Sequence, residues 1–247
     1  MLRFHSRPPH TSTSSYPSPH PLNKQLKDCA KNDGVVVHYM EDPSTPTGTC
    51  AVLVCDGERS LIANLAAANN FKEAHLETDQ AKAIIESAEI FYSAGFFLTV
   101  SVESLLKVTN HAVAKNKVSA LSSVRKTSAA ANTLPFRSPF SFGQIFCLNF
   151  SAPFIIDFFA DQVASALPFA DFVFSNESEA ETYGKKHNLG SDGKDIEAVA
   201  LAVAAMPKAS GVRPRTVVFT QGSKETIVAV GGKVTKYSVE VRKATCV

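Results

Sequence analysis

Strand-like and helix-like patterns take turns along most of this chain, and that alternation constrains the fold more than any single motif. Apolar or β-branched runs fall at 35–40, 49–54, 90–92, 145–149, 171–174, 216–219 and 226–230. Helical spacing falls at 25–32, 80–89, 102–115, 156–167, 177–187 and 195–206. In 102–115, Leu105, Val108 and Ala112 recur on one side; in 195–206, Ile196, Val199, Val203 and Met206 do the same. This alternation predicts an α/β fold with a mostly parallel, doubly wound sheet. With 247 residues, 45% of them hydrophobic, the chain can bury the core of one large domain.

One strand pair is different in kind. The run 49–54 leads into Asp56-Gly57, a hairpin-turn dipeptide, and Arg59 starts the return strand. Alternation places Arg59, Leu61 and Ala63 on one face. A cation beside small apolar side chains suits a ligand with a flat apolar part and an anionic part. An ordinary strand with one solvated arginine has the same spacing.

Composition narrows the function classes. A net charge of +2 makes no electrostatic case for nucleic acid or an anionic membrane surface. There is no run of 18 apolar residues, so no membrane span is expected. Cys29, Cys50, Cys55, Cys147 and Cys246 are odd in number, form no CxxC, and include two in one strand. Free thiols in a reducing, cytosolic setting are expected. The seven histidines show no HExxH or paired spacing and are assigned no metal.

Two segments interrupt the pattern. Residues 1–22 are rich in Ser, Pro and His with no acid before Asp28, and are expected to be a disordered leader. A transit peptide and a misplaced start codon both account for it. Residues 118–144 contain no Asp or Glu and no sustained period, and form too long a loop for a compact domain. Val118-Ser119 can be encoded by GTG-AGT and Gln144 by CAG, which read as splice donor and acceptor. The hypothesis is an in-frame retained intron within a domain spanning 23–247. Sequencing the mature transcript tests it, and these codons in every message would sink it.

For phosphate chemistry, no GxxxxGK[ST] and no GxGxxG occurs, so P-loop and Rossmann readings have no support. Asn176-x-x-Glu179 opens a helix directly after the run 171–174, and α/β sheets bind ligands at the carboxyl ends of parallel strands. The same residues serve as a helix cap with acids complementing the dipole. Thr220-Gln221-Gly222 ends another strand, as a plain turn or as a place where Gly222 lets the backbone approach a phosphate.

Five segments in order resemble the ribokinase-like (PfkB) carbohydrate and nucleoside kinases, within them the adenosine kinase branch. They are 46–69, Ala94-Gly95-Phe96-Phe97-Leu98-Thr99-Val100, Leu148-Asn149-Phe150-Ser151-Ala152-Pro153-Phe154, 171–180 and Phe219-Thr220-Gln221-Gly222. The resemblance covers 26–117 and 145–237. It implies a three-layer α/β/α sandwich with a small β lid, here incomplete. It also implies ATP-dependent 5′-phosphorylation of adenosine to AMP, a purine-salvage reaction using ATP and Mg2+.

Residue roles follow from the same resemblance. Arg59 matches a lid arginine that stabilises the transferred phosphoryl, a job suited to a planar, permanently charged fork. Leu61, Ala63 and Phe96 match positions around the adenine, and Cys50 a position near the nucleoside, with 47–50 at the lid hinge. Asn149 matches a strand end facing the nucleotide cleft. Asn176 and Glu179 match residues that organise magnesium-bound water and the ATP phosphates. Thr220, Gln221 and Gly222 match residues touching nucleotide phosphate. A water-bridged carboxylate suits magnesium, which keeps several waters.

The family's Gly-Ala-Gly-Asp segment, with its anion hole and catalytic base, does not occur in this sequence, nor does its ribose-gripping N-terminal segment. The expectation is a partial kinase of low or no activity, since general-base help alone contributes about 10² to 10⁴ in rate. Adenosine and ATP are the expected partners of a cytoplasmic (or nuclear) monomer that binds no nucleic acid and no membrane. Two alternatives remain: a kinase of the same fold acting on a sugar or another nucleoside, and a non-catalytic remnant that binds nucleotide or a kinase subunit.

Overall fold

The computed structural model describes residues 2–5, 11–13, 15–16, 21–55, 58–127, 143–210 and 213–240. The chain divides into two compact units, Met1–Phe91 with Val100–Ser104 and Tyr92–Thr99 with Leu105–Val247.

In the first unit, helix Pro21–Asn32 is followed by two short strands rather than the single strand expected at 35–40. Val36–Val37 pairs with Thr11 and Ser12, while Met40–Glu41 pairs with Ser15 and Tyr16. The interruption falls at His38. Its ring stacks on His75 with centroids 4.4 Å apart, and its Nε2 lies 3.2 Å from the Thr78 hydroxyl. Within the segment read as a leader, Leu2–His5 pairs antiparallel with Thr11–Thr13. Ladder partners from 36–41 supply the hydrogen bonds that this Ser/Thr-rich segment lacks alone. Helix Asp79–Ser87 starts one residue earlier than the spacing suggests, because the Thr78 hydroxyl accepts from Ala81 N–H at 3.3 Å as its cap.

The hairpin forms as read. Thr49–Cys55 pairs antiparallel with Glu58–Asn64, from Thr49 opposite Asn64 to Cys55 opposite Glu58. That register leaves a two-residue turn, Asp56-Gly57, outside the described residues. Every residue of Thr49–Cys55 is exposed, and so are Leu61 and Ile62 on the return strand.

In the second unit, strands Ile145–Asn149, Phe172–Asn176 and Thr216–Gln221 lie side by side in parallel. The unbroken apolar run Ile145 to Leu148 is buried throughout, as a strand covered on both faces should be. Thr216–Gln221 then continues as an antiparallel meander through Lys224–Val230 and Lys233–Tyr237. That last strand was not anticipated. Gly231 and Gly232, with φ of 57° and 77°, make the left-handed turn into it, and Lys233 and Lys236 mark its exposed edge.

Two helices also differ from the reading. Val102–Thr127 runs well past residue 115, into the segment read as irregular. Its extension has no Gly or Pro, so nothing in the backbone stops propagation. Residues 128–142 of that segment lie outside the described residues. Its two ends meet: the Asn116 side-chain amide donates to the Gln144 carbonyl at 2.8 Å, and both residues are buried. The helix expected at 156–167 is two, Pro153–Phe158 and Ala160–Ala166, broken at Phe159, whose φ of −120° and ψ of 37° are not helical. Leu105, Val108 and Ala112 are buried as expected; so are Val199 and Val203, with Ile196 and Met206 half-buried at the ends of their face.

The amino ends of the parallel strands are closed by buried charge. The Arg215 guanidinium, 1% exposed, donates to the carbonyls of Leu167, Ala170, Val203, Met206 and Pro207. The Asp171 carboxylate, 3% exposed, accepts from Phe146 N–H at 3.0 Å, Lys208 Nζ at 2.5 Å and Arg213 at 3.2 Å. No disulfide joins the described cysteines, and no helix among the described residues is long and apolar enough to cross a membrane.

Candidate active site at the carboxyl ends of the strands

At the opposite ends of these strands lies a cleft of about 420 Å³. Four strands contribute. Tyr92 comes from Ile90–Ala94, Asn149 from Ile145–Asn149, Phe174, Ser175 and Asn176 from Phe172–Asn176, and Val218 and Thr220 from Thr216–Gln221. The turn Gly95–Thr99 adds Phe96, and helix Glu177–Lys186 adds Glu179. The place is the one expected for parallel strands, where side chains and helix starts converge above the sheet.

One wall is aromatic. Phe96 is 39% exposed, too open for a core residue, and meets Phe154 edge to face with centroids 5.7 Å apart. Gly95 precedes it because a Cβ there would collide with the carbonyls of Asn149 and Phe150. Beside this wall, the Asn149 side-chain amide donates to the Tyr92 hydroxyl at 3.0 Å, and its Oδ1 accepts from Ser151 N–H at 2.7 Å.

The opposite side is a helix start. Asn176 caps Glu177–Lys186: its Oδ1 accepts from Glu179 N–H at 2.8 Å. The Glu179 carboxylate returns the contact, accepting from Asn176 N–H at 3.1 Å and from its side-chain amide at 2.9 Å. This reciprocal capping box confirms the structural role of both residues. Glu179 is 4% exposed, and burial pushes its carboxyl pKa up. Neutral donors from Asn176, Ser175 and Ser151 pull the other way, and Glu177 adds to the rise. Thr220 stands beside Asn176 on the next strand and donates to the Ser175 carbonyl at 3.4 Å.

The structure thus brings together Phe96, Asn149, Asn176, Glu179 and Thr220. It does not bring Gln221 or Gly222 to the cleft. Gln221 turns to a neighbouring groove, and its Nε2 donates to the Glu225 carbonyl at 2.7 Å across the hairpin. Gly222, with φ of 58°, forms that hairpin's turn and has open space where a side chain would stand. Cys50, Leu61 and Ala63 lie on the hairpin of the first unit, all exposed. Arg59 is paired with Val54 there, and its side chain lies outside the described residues. Tyr92, Ser151, Phe174 and Val218 were missed. Tyr92, Phe174 and Val218 carried only the signal of alternate strand positions, and Ser151 none.

An exposed aromatic ring and a capped helix start thus line one cleft at the carboxyl ends of the strands. The pfkB family carbohydrate kinase model matches residues 21–138 and 120–246. The chain belongs to that family, and its fold is the ribokinase-like α/β fold. Among its relatives, adenosine kinase 1 of Arabidopsis thaliana is 45% identical over 214 residues, covering 87% of this chain and 54% of that protein. The crystal structure of Anopheles gambiae adenosine kinase in complex with P1,P4-di(adenosine-5) tetraphosphate is 34% identical, with a TM-score of 0.78, covering 93% of this chain and 60% of that one. Adenosine kinase from Schistosoma mansoni in complex with 2-fluoroadenosine is 26% identical, with a TM-score of 0.77, covering 94% and 60%. The chain spans about half the length of the relatives it matches.

Proposed function

We propose that this chain carries the nucleoside and phosphate-donor faces of an adenosine kinase, which moves the terminal phosphoryl of ATP to the 5′-hydroxyl of adenosine and yields AMP. The observation that supports this most is the cleft itself, lined by both Phe96 and the Asn176–Glu179 helix start. The Phe96 ring would take the adenine; for Leu61, Ala63 and Cys50 on the hairpin of the first unit, a nucleoside contact rests on the family resemblance alone. Asn149, Asn176 and Thr220 would hold the nucleotide phosphates in the cleft, while the phosphate roles of Gln221 and Gly222, which lie outside it, and of Arg59 on the first unit's hairpin rest on the family resemblance alone. Positioning and charge neutralisation dominate this kind of transfer.

Glu179 suits magnesium held through water. It is a buried carboxylate supported by neutral donors, with no cation among the groups that shift its pKa. Glu177 and Glu179 at one helix start repel a polyphosphate, and a divalent cation between them removes that repulsion. Bound magnesium would supply this neutralisation, while direct ligation would break the capping box.

Among the described residues Glu179 is the one carboxylate lining the cleft, and it is committed to the cap. We therefore expect this chain, as a monomer in cytoplasm or nucleus, to bind both substrates and to turn over slowly or not at all. Calorimetry with adenosine and with ATP–magnesium, beside an assay for AMP, tests the proposal. Binding of both ligands supports it, rapid AMP formation overturns the slow-turnover part, and no binding of either sinks the whole.

A further inference from the structure

Ser151 joins two of the elements that build the cleft. Its φ of 69° holds a non-glycine residue in the left-handed region, a conformation that persists where the surroundings over-determine it. Its N–H donates to Asn149 Oδ1 at 2.7 Å. Its hydroxyl lies 3.3 Å from both the Asn149 carbonyl and Asn149 Oδ1, its candidate acceptors. The hydroxyl's lone pairs are thereby left for Gly95, whose N–H donates to Ser151 Oγ at 2.8 Å. Gly95 is the first residue of the turn Gly95–Thr99, which carries Phe96. A glycine at 151 would adopt this backbone more readily, but only a side-chain acceptor can hold Gly95 N–H.

We infer that Ser151 is a positioning residue for nucleoside binding: its hydroxyl pins the Phe96 turn against the strand end that presents Asn149. The inference rests on reading the cleft as the adenosine site.

Ser151→Gly in the full chain separates this role from general stability. It keeps the backbone N–H bonds, relieves the left-handed strain and removes the hydroxyl, which accepts from Gly95 and donates to Asn149. The expected result is an unchanged or slightly raised Tm. Adenosine Kd should weaken about 2- to 10-fold, the size of one hydrogen bond. Amide exchange at Gly95 and along 96–99 should be faster. Ser151→Ala should weaken adenosine equally while also lowering Tm, because its Cβ keeps the strain. Wild-type Kd together with wild-type exchange in Ser151→Gly overturns the inference, as does a loss of affinity that merely tracks Tm across the two variants. If the wild-type chain binds no adenosine, exchange decides alone. Faster exchange at 95–99 then leaves the pinning role standing while the nucleoside reading falls, and unchanged exchange removes both.

Discussion

Asp171 and Glu179 sit at opposite ends of the strand Phe172–Asn176 and just beyond it, 3% and 4% exposed. Burial alone does not distinguish them; their partners do. At the amino ends of the strands Lys208 and Arg213 answer Asp171, and Arg215 beside them is spent on five carbonyls. At the carboxyl ends the neutral Asn176 donors hold Glu179, which lines a cleft, with no ion pair to it among the described residues. A buried charge with its counter-charge closes a structure. A buried carboxylate without one keeps its pKa raised.

The largest test of this contrast is Arg215→Met. It leaves five carbonyls without their donor, and unfolding in urea should show a loss of about 3 to 5 kcal/mol. A loss below about 1 kcal/mol would remove the distinction between the two ends. Asn176→Ala comes next. Losing a cap costs about 1 kcal/mol. If the helix start also holds phosphate, ATP–magnesium affinity should fall by more than that, and an affinity that falls no further than stability reduces Asn176 to a cap.

A third test uses pH. The fold raises the Glu179 pKa above its ordinary 4.5, so it favours the neutral form. The stability this contributes is complete below 4.5 and is lost as pH rises through the raised folded value. Melting curves across that window should therefore show wild type losing stability relative to Glu179→Gln, which keeps the capping geometry. Parallel curves would mean that Glu179 is as well answered as Asp171. The smallest expected effect lies in the first unit. Leu53→Ser and Leu61→Ser alter side chains 59% and 66% exposed, so stability should stay within about 0.5 kcal/mol. A larger change would show that the hairpin's apolar residues are covered in solution.

Legibility in the sequence followed local physics. Ile145–Asn149 was readable to the residue because an uninterrupted apolar run between polar neighbours has few other fates. Lys233–Tyr237 was missed because an exposed edge strand carries polar residues and no apolar rhythm. The break at Phe159 was invisible because the apolar spacing continues across it. In the site, Asn176 and Glu179 announced themselves by capping-box spacing, while Tyr92, Phe174 and Val218 enter only through the register of neighbouring strands.

By itself the sequence determined the strand and helix alternation, the hairpin with its two-residue turn, the helix start at Asn176 and the family to which the chain belongs. These depend on neighbours a few residues apart, where backbone geometry and side-chain type suffice. Tertiary structure decided which of two equally buried carboxylates would be neutralised. The cations that reach Asp171 lie 37 and 42 residues further along the chain, and no spacing rule connects them. Packing of a later loop beneath the strands brings those cations to one end of the sheet and leaves the other end open to a ligand.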